Sequence, residues 1–503
     1  MTRLAPSQLP NLPANVARPT YDRIRLIPRI AHIGVGAFHR CHQAEYTDDL
    51  AALGGDAGIV GINIRAPSLT PLGQQDGLYT RLIRQGNAVE ARVIGSIIRV
   101  VDSQHSPAPA LAVLTDKATE VITLTVTEKA YCHHPATGAL NLDHPDIAHD
   151  LTHPDTPRSL PGLLVRALNL RKGAPLTLIS CDNIPANGTL LKGVIMTLAA
   201  RQNHALADWI DKACAFPNTM VDRIAPAATP DDIATVADSL GYDDQAVVVC
   251  EPFKQWVIED HFAGPIPAWD TVGAQFVHDA APYEILKMRV LNGAQTALAH
   301  LGALCGLENT SDDMADPVLA AFVERMLLAE TVPTLRPIAG LSAKAYVGQS
   351  LDRLRNTAIR HRNHQIASDG SQKIVQRLLN PLADRLRRGH PAPMLATALA
   401  GWMVYLIRAA SRFGARWQAD DPYAPRIAAI ADRIGHDPAA LSKAILQLDG
   451  IFAADFAAHP NFTDLLAVAV GNLLSDDPRD YLRKLMTESA SAQLNAAQTA
   501  GYS

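Results

Sequence analysis

A lysine and a carboxamide five residues apart are the side chains in this chain most suited to proton chemistry on an oxygen. They stand in the run Tyr283-Glu284-Ile285-Leu286-Lys287-Met288-Arg289-Val290-Leu291-Asn292-Gly293-Ala294-Gln295. A lysine in an apolar pocket has its pKa lowered and can exchange protons near neutrality. An asparagine amide can donate a hydrogen bond to an oxygen on which charge is building. Five residues is somewhat more than one helical turn, so Lys287 and Asn292 can border a common cleft if the helix end is buried there. A solvated lysine on an amphipathic helix, with the asparagine capping a turn before Gly293, accounts for the same letters. A second carboxamide, Asn183 in Ser180-Cys181-Asp182-Asn183-Ile184-Pro185-Ala186-Asn187-Gly188, sits where a strand gives way to a helix. Carboxyl ends of parallel strands are where α/β enzymes place chemistry, although Asn183 also suits a helix N-cap.

A third constellation could hold a nucleotide. In His32-Ile33-Gly34-Val35-Gly36-Ala37-Phe38 two glycines follow an apolar run and precede a helix-like segment. Such a turn lets backbone amides approach a pyrophosphate closely. The third glycine of GxGxxG is missing, since His39 takes its place. The acid that usually holds the ribose at the end of the second strand is also missing; the chain there reads Asn63-Ile64-Arg65-Ala66-Pro67-Ser68. Arg65 could attract a 2′-phosphate, so these residues leave NAD and NADP both open.

The elements that must position these residues follow from apolar patterning. Arg29 to Gly34 and Gly58 to Ile64 read as strands on either side of a helix from about Phe38 to Leu53, a β-turn-α-β opening. Further strands are expected at Val93–Val101, Val121–Thr127, Leu176–Cys181 and Ala246–Cys250, alternating with helices such as Gly162–Arg171 and Leu190–Arg201. That alternation predicts a mostly parallel, doubly wound sheet. From about Pro282 the runs Pro282–Leu304, Asp316–Glu330, Ala392–Phe413 and Pro425–Leu446 have helical spacing. The expected fold is therefore α/β, a Rossmann-type N-terminal domain over 1–284 and a mostly helical domain over 285–503.

Bulk properties narrow the class. The chain has 503 residues, is 48% hydrophobic and carries a formal net charge of -5, with no long basic run. A nucleic-acid partner is disfavoured. The six cysteines are scattered without a CxxC pair, and no apolar stretch has signal-peptide or membrane-spanning length, so a cytoplasmic enzyme is expected. No cluster of Cys and His has zinc-ligand spacing; Cys132-His133-His134 is taken as a solvated loop.

Together these stretches resemble the polyol-specific long-chain dehydrogenase family, that of mannitol 2-dehydrogenase and fructuronate reductase. The likeness runs over nearly the whole chain: IAHIGVGAFHRCHQAEYTDDL (30–50), QDGLYT (75–80), LTVTEKAYC (124–132), SCDNIPANG (180–188), FPNTMVDRIAPAATP (216–230), CEPFKQWVIEDHFAG (250–264), KMRVLNGAQ (287–295), QIASDGSQKIVQR (365–377) and GIFAADF (450–456). The resemblance implies metal-free catalysis with a nicotinamide cofactor, NAD with NADP left open, on a small sugar-acid or polyol substrate. It makes Lys287 the proton donor or acceptor, Asn183 and Asn292 the pair that binds the oxyanion, and Glu284 a carboxylate for proton passage. Gln295, Lys373 and Arg377 fall at substrate-binding positions, and Gly34, Gly36, Ala37, Phe38 and Arg65 at cofactor-binding ones. A monomer or small homo-oligomer, away from membranes and nucleic acid, is expected.

Within the family the fructuronate reductase branch is the better likeness. Gln365 stands where mannitol dehydrogenases carry a substrate-contacting arginine, and Arg377 follows DGSQK as in the uronate enzymes. An arginine fork suits a carboxylate; a structural salt bridge is the competing use. The chain departs from the family at Gln295, where histidine is usual, and at Glu45, a position usually uncharged. Glutamine can still donate a hydrogen bond but cannot titrate near neutrality. Competing readings are a mannitol 2-dehydrogenase, another polyol or uronate dehydrogenase, and a non-catalytic nucleotide-binding sensor. Tyr283 and Lys287 also spell the YxxxK of short-chain dehydrogenases, but lie too far from the glycine turn for that class, and Tyr283 is expected to pack.

Overall fold

The computed structural model describes residues 2–65, 69–134, 137–171, 173–410, 417–452, 460–475 and 477–488. The stretch Ala66-Pro67-Ser68, the end of the helical run toward Phe413 and the latter part of GIFAADF lie outside the described residues. The chain divides into two compact units, Met1–Glu284 and Ile285–Ser503.

The first unit is built on six parallel strands: β1 (Ile27–Ile33), β2 (Ala57–Asn63), β3 (Ile97–Asp102), β4 (Val121–Leu124), β5 (Leu176–Ser180) and β6 (Cys214–Ala215). Their spatial order is β3-β2-β1-β4-β5-β6, every pairing parallel. This is the doubly wound order of a dinucleotide-binding sheet, and it reverses between β1 and β4. All of β2 (AGIVGIN) is buried, as a strand covered on both faces requires; hence its nearly continuous apolar run.

Other strands lie outside this sheet. The expected strand Val93–Val101 is two strands, Ala88–Ile94 and β3, broken at Gly95-Ser96. The first pairs antiparallel with Tyr79–Gln85, and the expected strand Ala246–Cys250, seen as Val248–Cys250, joins that second sheet rather than the central one. A third sheet combines Thr219–Asp222, Gln255–Glu259 and Gln275–Val277. The helix expected over Phe38–Leu53 is Ala37–Cys41 and Gln43–Ala52, interrupted at His42, whose φ of -127° and ψ of -90° are not helical.

Glu45, on the second of these helices, is buried beneath three cations. Its carboxylate meets Arg223 at 2.7 Å, Arg81 at 3.2 Å and Lys254 at 3.3 Å. Burial pushes its pKa up, but the cations outweigh burial and hold it down at about 2. The charge at this unusual position is therefore part of a closed network. Replacing Glu45 with alanine leaves buried cations uncompensated and is expected to destabilise the protein by about 3–5 kcal/mol, read from urea unfolding. Because the folded pKa lies below the unfolded value, this stabilisation is complete above pH 4.5 and is lost as pH falls toward 2. Unchanged stability of the variant would contradict this account.

The second unit is helical, and among its described residues β structure is limited to isolated bridges. Its core helix Pro393–Arg408 is buried along almost its whole length. Among the described residues, three of its helical runs contain a π turn: Met288–Asn292, Met326–Thr331 and Val375–Leu379. The run expected over Pro425–Leu446 is two helices, Ala424–Ile434 and Pro438–Leu446, separated at Gly435. No helix among the described residues is long and apolar enough to cross a membrane.

Candidate active site

In the first unit the candidate cofactor residues gather where the strand order reverses. Gly34 follows β1 with φ +94°, and a Cβ built there would sit 2.0 Å from the Thr125 carbonyl oxygen just past β4. A side chain would collide with backbone that cannot yield, so the close crossing requires glycine. Gly36 has open space where its Cβ would be. Gly34, Gly36, Ala37, Asn63, Arg65 and Thr125 line one cleft. Phe38, the next residue of the turn, stacks on His42 at 5.0 Å. Thr125 Oγ1 donates to the Gly34 carbonyl at 2.6 Å and lies 2.9 Å from His32 Nε2, which ties the turn to the sheet.

His39, in the place of the third glycine, lies flat on His32 with ring centroids 3.3 Å apart. Burial lowers the pKa of both rings, His32 to about 3, so the pair is neutral. Stacked imidazoles thus occupy the strand-to-helix contact at the position of the third glycine. Arg65 is over half exposed, with Asp146 at 3.8 Å. Cys132, expected in a solvated loop, is instead buried in the core beside the sheet, while His133 faces Glu128 at 3.6 Å.

Asn183 follows β5 and is exposed, between residues that are held in place. The Asp182 carboxylate accepts from the Val126 and Thr127 amides at 2.9 Å each and from the Tyr131 hydroxyl at 2.7 Å. The buried Asn187 amide donates to the Asp182 carbonyl at 3.0 Å and to Thr219 Oγ1 at 3.0 Å. Ala186 takes φ +46° and caps the helix Asn187–Gln202, so Asn183 is not the cap. Glu284 Oε2 accepts from the Ala186 amide at 3.0 Å. Sequence reasoning missed Asp182, Tyr131 and Asn187 as positioning groups. The signal available was a carboxylate and two carboxamides crowded at a strand end. Tyr283 packs against the cluster of Met220, Val257 and Ala280, as a packing residue should.

In the second unit Lys287 and Asn292 are both buried, at 5% and 7% exposure. The helix does not end at Asn292, contrary to the capped turn the letters also allowed. It passes through the π turn Met288–Asn292 into Gly293–Leu304. A π turn hydrogen-bonds residues five apart, which suits a pair at that separation, and such turns frequently mark functional sites. Asn292 Nδ2 donates to Gln295 Oε1 at 2.9 Å, while its buried Oδ1 has no hydrogen-bond partner among the described residues. Gln295 therefore orients the asparagine amide, a task that an acceptor nitrogen of histidine could also perform.

Arg377 lies in the π turn Val375–Leu379. Its carbonyl oxygen stands 3.1 Å from where a Cβ on Gly293 would be, so this glycine admits the close approach of the two turns. One Arg377 nitrogen donates to Thr296 Oγ1 at 3.0 Å. No carboxylate among the described residues pairs with this guanidinium, which removes the structural salt bridge as its explanation. Burial lowers the Arg377 pKa to about 10. Lys373 Nζ donates to the Ile366 and Ser368 carbonyls at 3.2 and 2.5 Å. Its pKa is lowered to about 8 by burial and then by Arg377. Two adjoining cations with an excess of donors are suited to an anionic group.

Comparison with known proteins places these features in context. Residues 28–271 match the family model described as the mannitol dehydrogenase Rossmann domain, and residues 279–474 that of the mannitol dehydrogenase C-terminal domain. The chain is 39% identical over 500 residues to D-mannonate oxidoreductase of Escherichia coli, covering 96% of this chain and all of the relative. It is 35% identical to mannitol 2-dehydrogenase of Cereibacter sphaeroides, covering 88% and 95%. Among solved structures, the Pseudomonas fluorescens mannitol 2-dehydrogenase ternary complex with NAD and D-mannitol superposes with a TM-score of 0.88 at 33% identity, covering 97% and 100%. A substrate-free D-sorbitol dehydrogenase gives 0.84 at 27%, covering 95% and 99%.

Proposed function

Since the chain belongs to the mannitol dehydrogenase family of oxidoreductases, we propose that it interconverts D-fructuronate and D-mannonate with NAD as cofactor. The observation that carries the choice of a sugar acid is the Arg377–Lys373 pair, two adjoining cations with no carboxylate among the described residues ion-paired to Arg377. A neutral hexitol gives such a pair nothing to neutralise, whereas a carboxylate accepts the arginine fork in two parallel hydrogen bonds. Similarity to both D-mannonate oxidoreductase and mannitol 2-dehydrogenase supports the reaction class without choosing between these substrates.

The glycine turn fits the cofactor: Gly34 admits the close crossing at Thr125 and Gly36 leaves room above the turn. Gly34, Gly36, Ala37 and Phe38 would hold the pyrophosphate end, and Asn63 with Arg65 the ribose. When bound, the nicotinamide supplies or accepts the hydride at the substrate carbon. The chain's own residues do the rest. In the reductive direction Asn183 and Asn292 donate to the carbonyl oxygen as it becomes an alkoxide, and Lys287 delivers the proton that completes the hydroxyl. Gln295 holds the Asn292 amide in place. Glu284, which accepts from the Ala186 amide beside the Asn183 loop, relays the proton to solvent. The cofactor-binding residues belong to 1–284, which also supplies Asn183 and Glu284, while Lys287, Asn292 and the cation pair belong to 285–503.

Oxidation of NADH and NADPH measured with D-fructuronate, D-tagaturonate and D-fructose side by side tests this reading. The expected order is D-fructuronate first in kcat/KM, with NADH preferred. A higher kcat/KM for D-fructose would move the chain to the mannitol 2-dehydrogenase branch, and no oxidation with any of the three would favour a sensor.

A further inference from the structure

Two histidines stand by the cation pair in the second unit and have taken no part so far. His300 lies on the helix Gly293–Leu304, one turn beyond Thr296, and is 1% exposed. Its Nδ1 is 2.8 Å from the Thr296 carbonyl oxygen and must be the protonated nitrogen there. Its Nε2 is then an acceptor, buried, with no partner among the described residues. The same Thr296 receives Arg377 on its hydroxyl, so ring and guanidinium hang from one residue. His361, whose carbonyl accepts from the Thr310 amide at 3.1 Å, also has a buried and unpartnered nitrogen, Nδ1.

We propose, resting on the sugar-acid reading above, that His300 and His361 complete with Arg377 and Lys373 a pocket for the substrate's carboxylate, and that this pocket takes up one proton from solvent as the acid binds. Four bases meet here on different elements: Lys373 and Arg377 from the segment 370–379, His300 from its helix and His361 from the loop before Asn363. Tyr405, from Pro393–Arg408, faces the His300 ring at 5.2 Å and bonds His364 Nδ1 at 2.7 Å. The acids nearby are spoken for: Asp369, Asp420 and Asp421 act on Lys373, and Asp313 accepts from Asn363 at 2.9 Å.

Among these groups the two cations oppose protonation of the two rings. Burial, then Lys373 and Arg377, hold His361 at about 4, and burial with the same cations holds His300 there too. A carboxylate among them reverses the local sign. An opposite charge within hydrogen-bond reach raises the pKa of a neighbouring base by roughly 1–3, which brings a ring at about 4 to between 5 and 7. The balance is simple: the acid anion and one proton from the buffer enter together, and a ring nitrogen that lacked a partner becomes a donor to the carboxylate oxygen.

Calorimetric titration of the NADH-loaded protein with D-mannonate at pH 6, a pair between which no hydride can pass, in two buffers of different ionisation enthalpy, reads this uptake directly. The expected result is a substantial fraction of one proton taken up with D-mannonate and none with D-mannitol. His361→Gln and His300→Gln should remove the uptake in at least one case and weaken D-mannonate binding by roughly tenfold. Tight D-mannonate binding with no proton uptake, or uptake kept in both variants, overturns the role of the histidines and leaves the substrate reading intact. Failure of D-mannonate to bind at all overturns both. Should a variant not fold, the comparison of D-mannonate with D-mannitol on the unaltered protein still decides.

Discussion

Lys287→Ala is expected to lower kcat for D-fructuronate reduction at pH 7 by about 10²–10⁴-fold, the range that a positioned general acid contributes. NADH affinity should stay nearly unchanged, because the glycine turn and its His32–Thr125 anchor belong to the other unit. The lysine is 5% exposed, so its truncation leaves a buried space in place of the amine. A small primary amine added to the assay should occupy that space and, in its protonated form, restore part of the lost rate of D-fructuronate reduction; in the reverse oxidation of D-mannonate, rescue should grow with pH as more of the amine is unprotonated. A fold defect would not respond to amines. Near-normal turnover of the alanine variant would remove Lys287 from the chemistry altogether.

Arg377→Leu is expected to raise KM for D-fructuronate far more than KM for D-fructose. Truncating one partner of a buried charge pair costs about 2–5 kcal/mol, so the acid should lose about 30-fold or more. The neutral ketose has no carboxylate to lose and should change by only a few-fold, through the bond from Arg377 to Thr296. The neighbouring Lys373 adds a pH signature. Its ammonium, held at about 8, loses its proton as pH rises through that value. KM for the acid in the unaltered protein should therefore rise above pH 8, while KM for D-fructose should not follow. Equal effects of the substitution on both substrates would return Arg377 to a purely structural role.

Much of this was legible in the letters because it rests on periodicity and on glycine. The apolar run into Gly34, the all-buried β2 and the switch to helical spacing near Pro282 each reflect burial that a linear pattern records. What was not legible depends on contacts between distant residues. Gly95-Ser96 looks like an ordinary pair inside a strand, yet the chain changes sheets there because Ala88–Ile94 finds an antiparallel partner in Tyr79–Gln85. The π turn at Met288–Asn292 leaves no periodic mark over five residues. Directly after it, the Arg377 backbone of a second π turn comes close to Gly293, a contact between segments far apart in the chain. Glu45 reads as a charge at a usually uncharged position until Arg81, Arg223 and Lys254 arrive from far along the chain. Gln295 reads as a lost histidine, whereas its bond to Asn292 gives it an orienting task that needs no titration.

The most direct test of the central claim is product analysis after incubation with D-fructuronate and NADH deuterated at the transferable C4 position. D-Mannonate carrying one deuterium at C5, formed in step with NADH loss, is the expected product. D-Mannonate without deuterium, or NADH loss with no C5 alcohol formed, would contradict it.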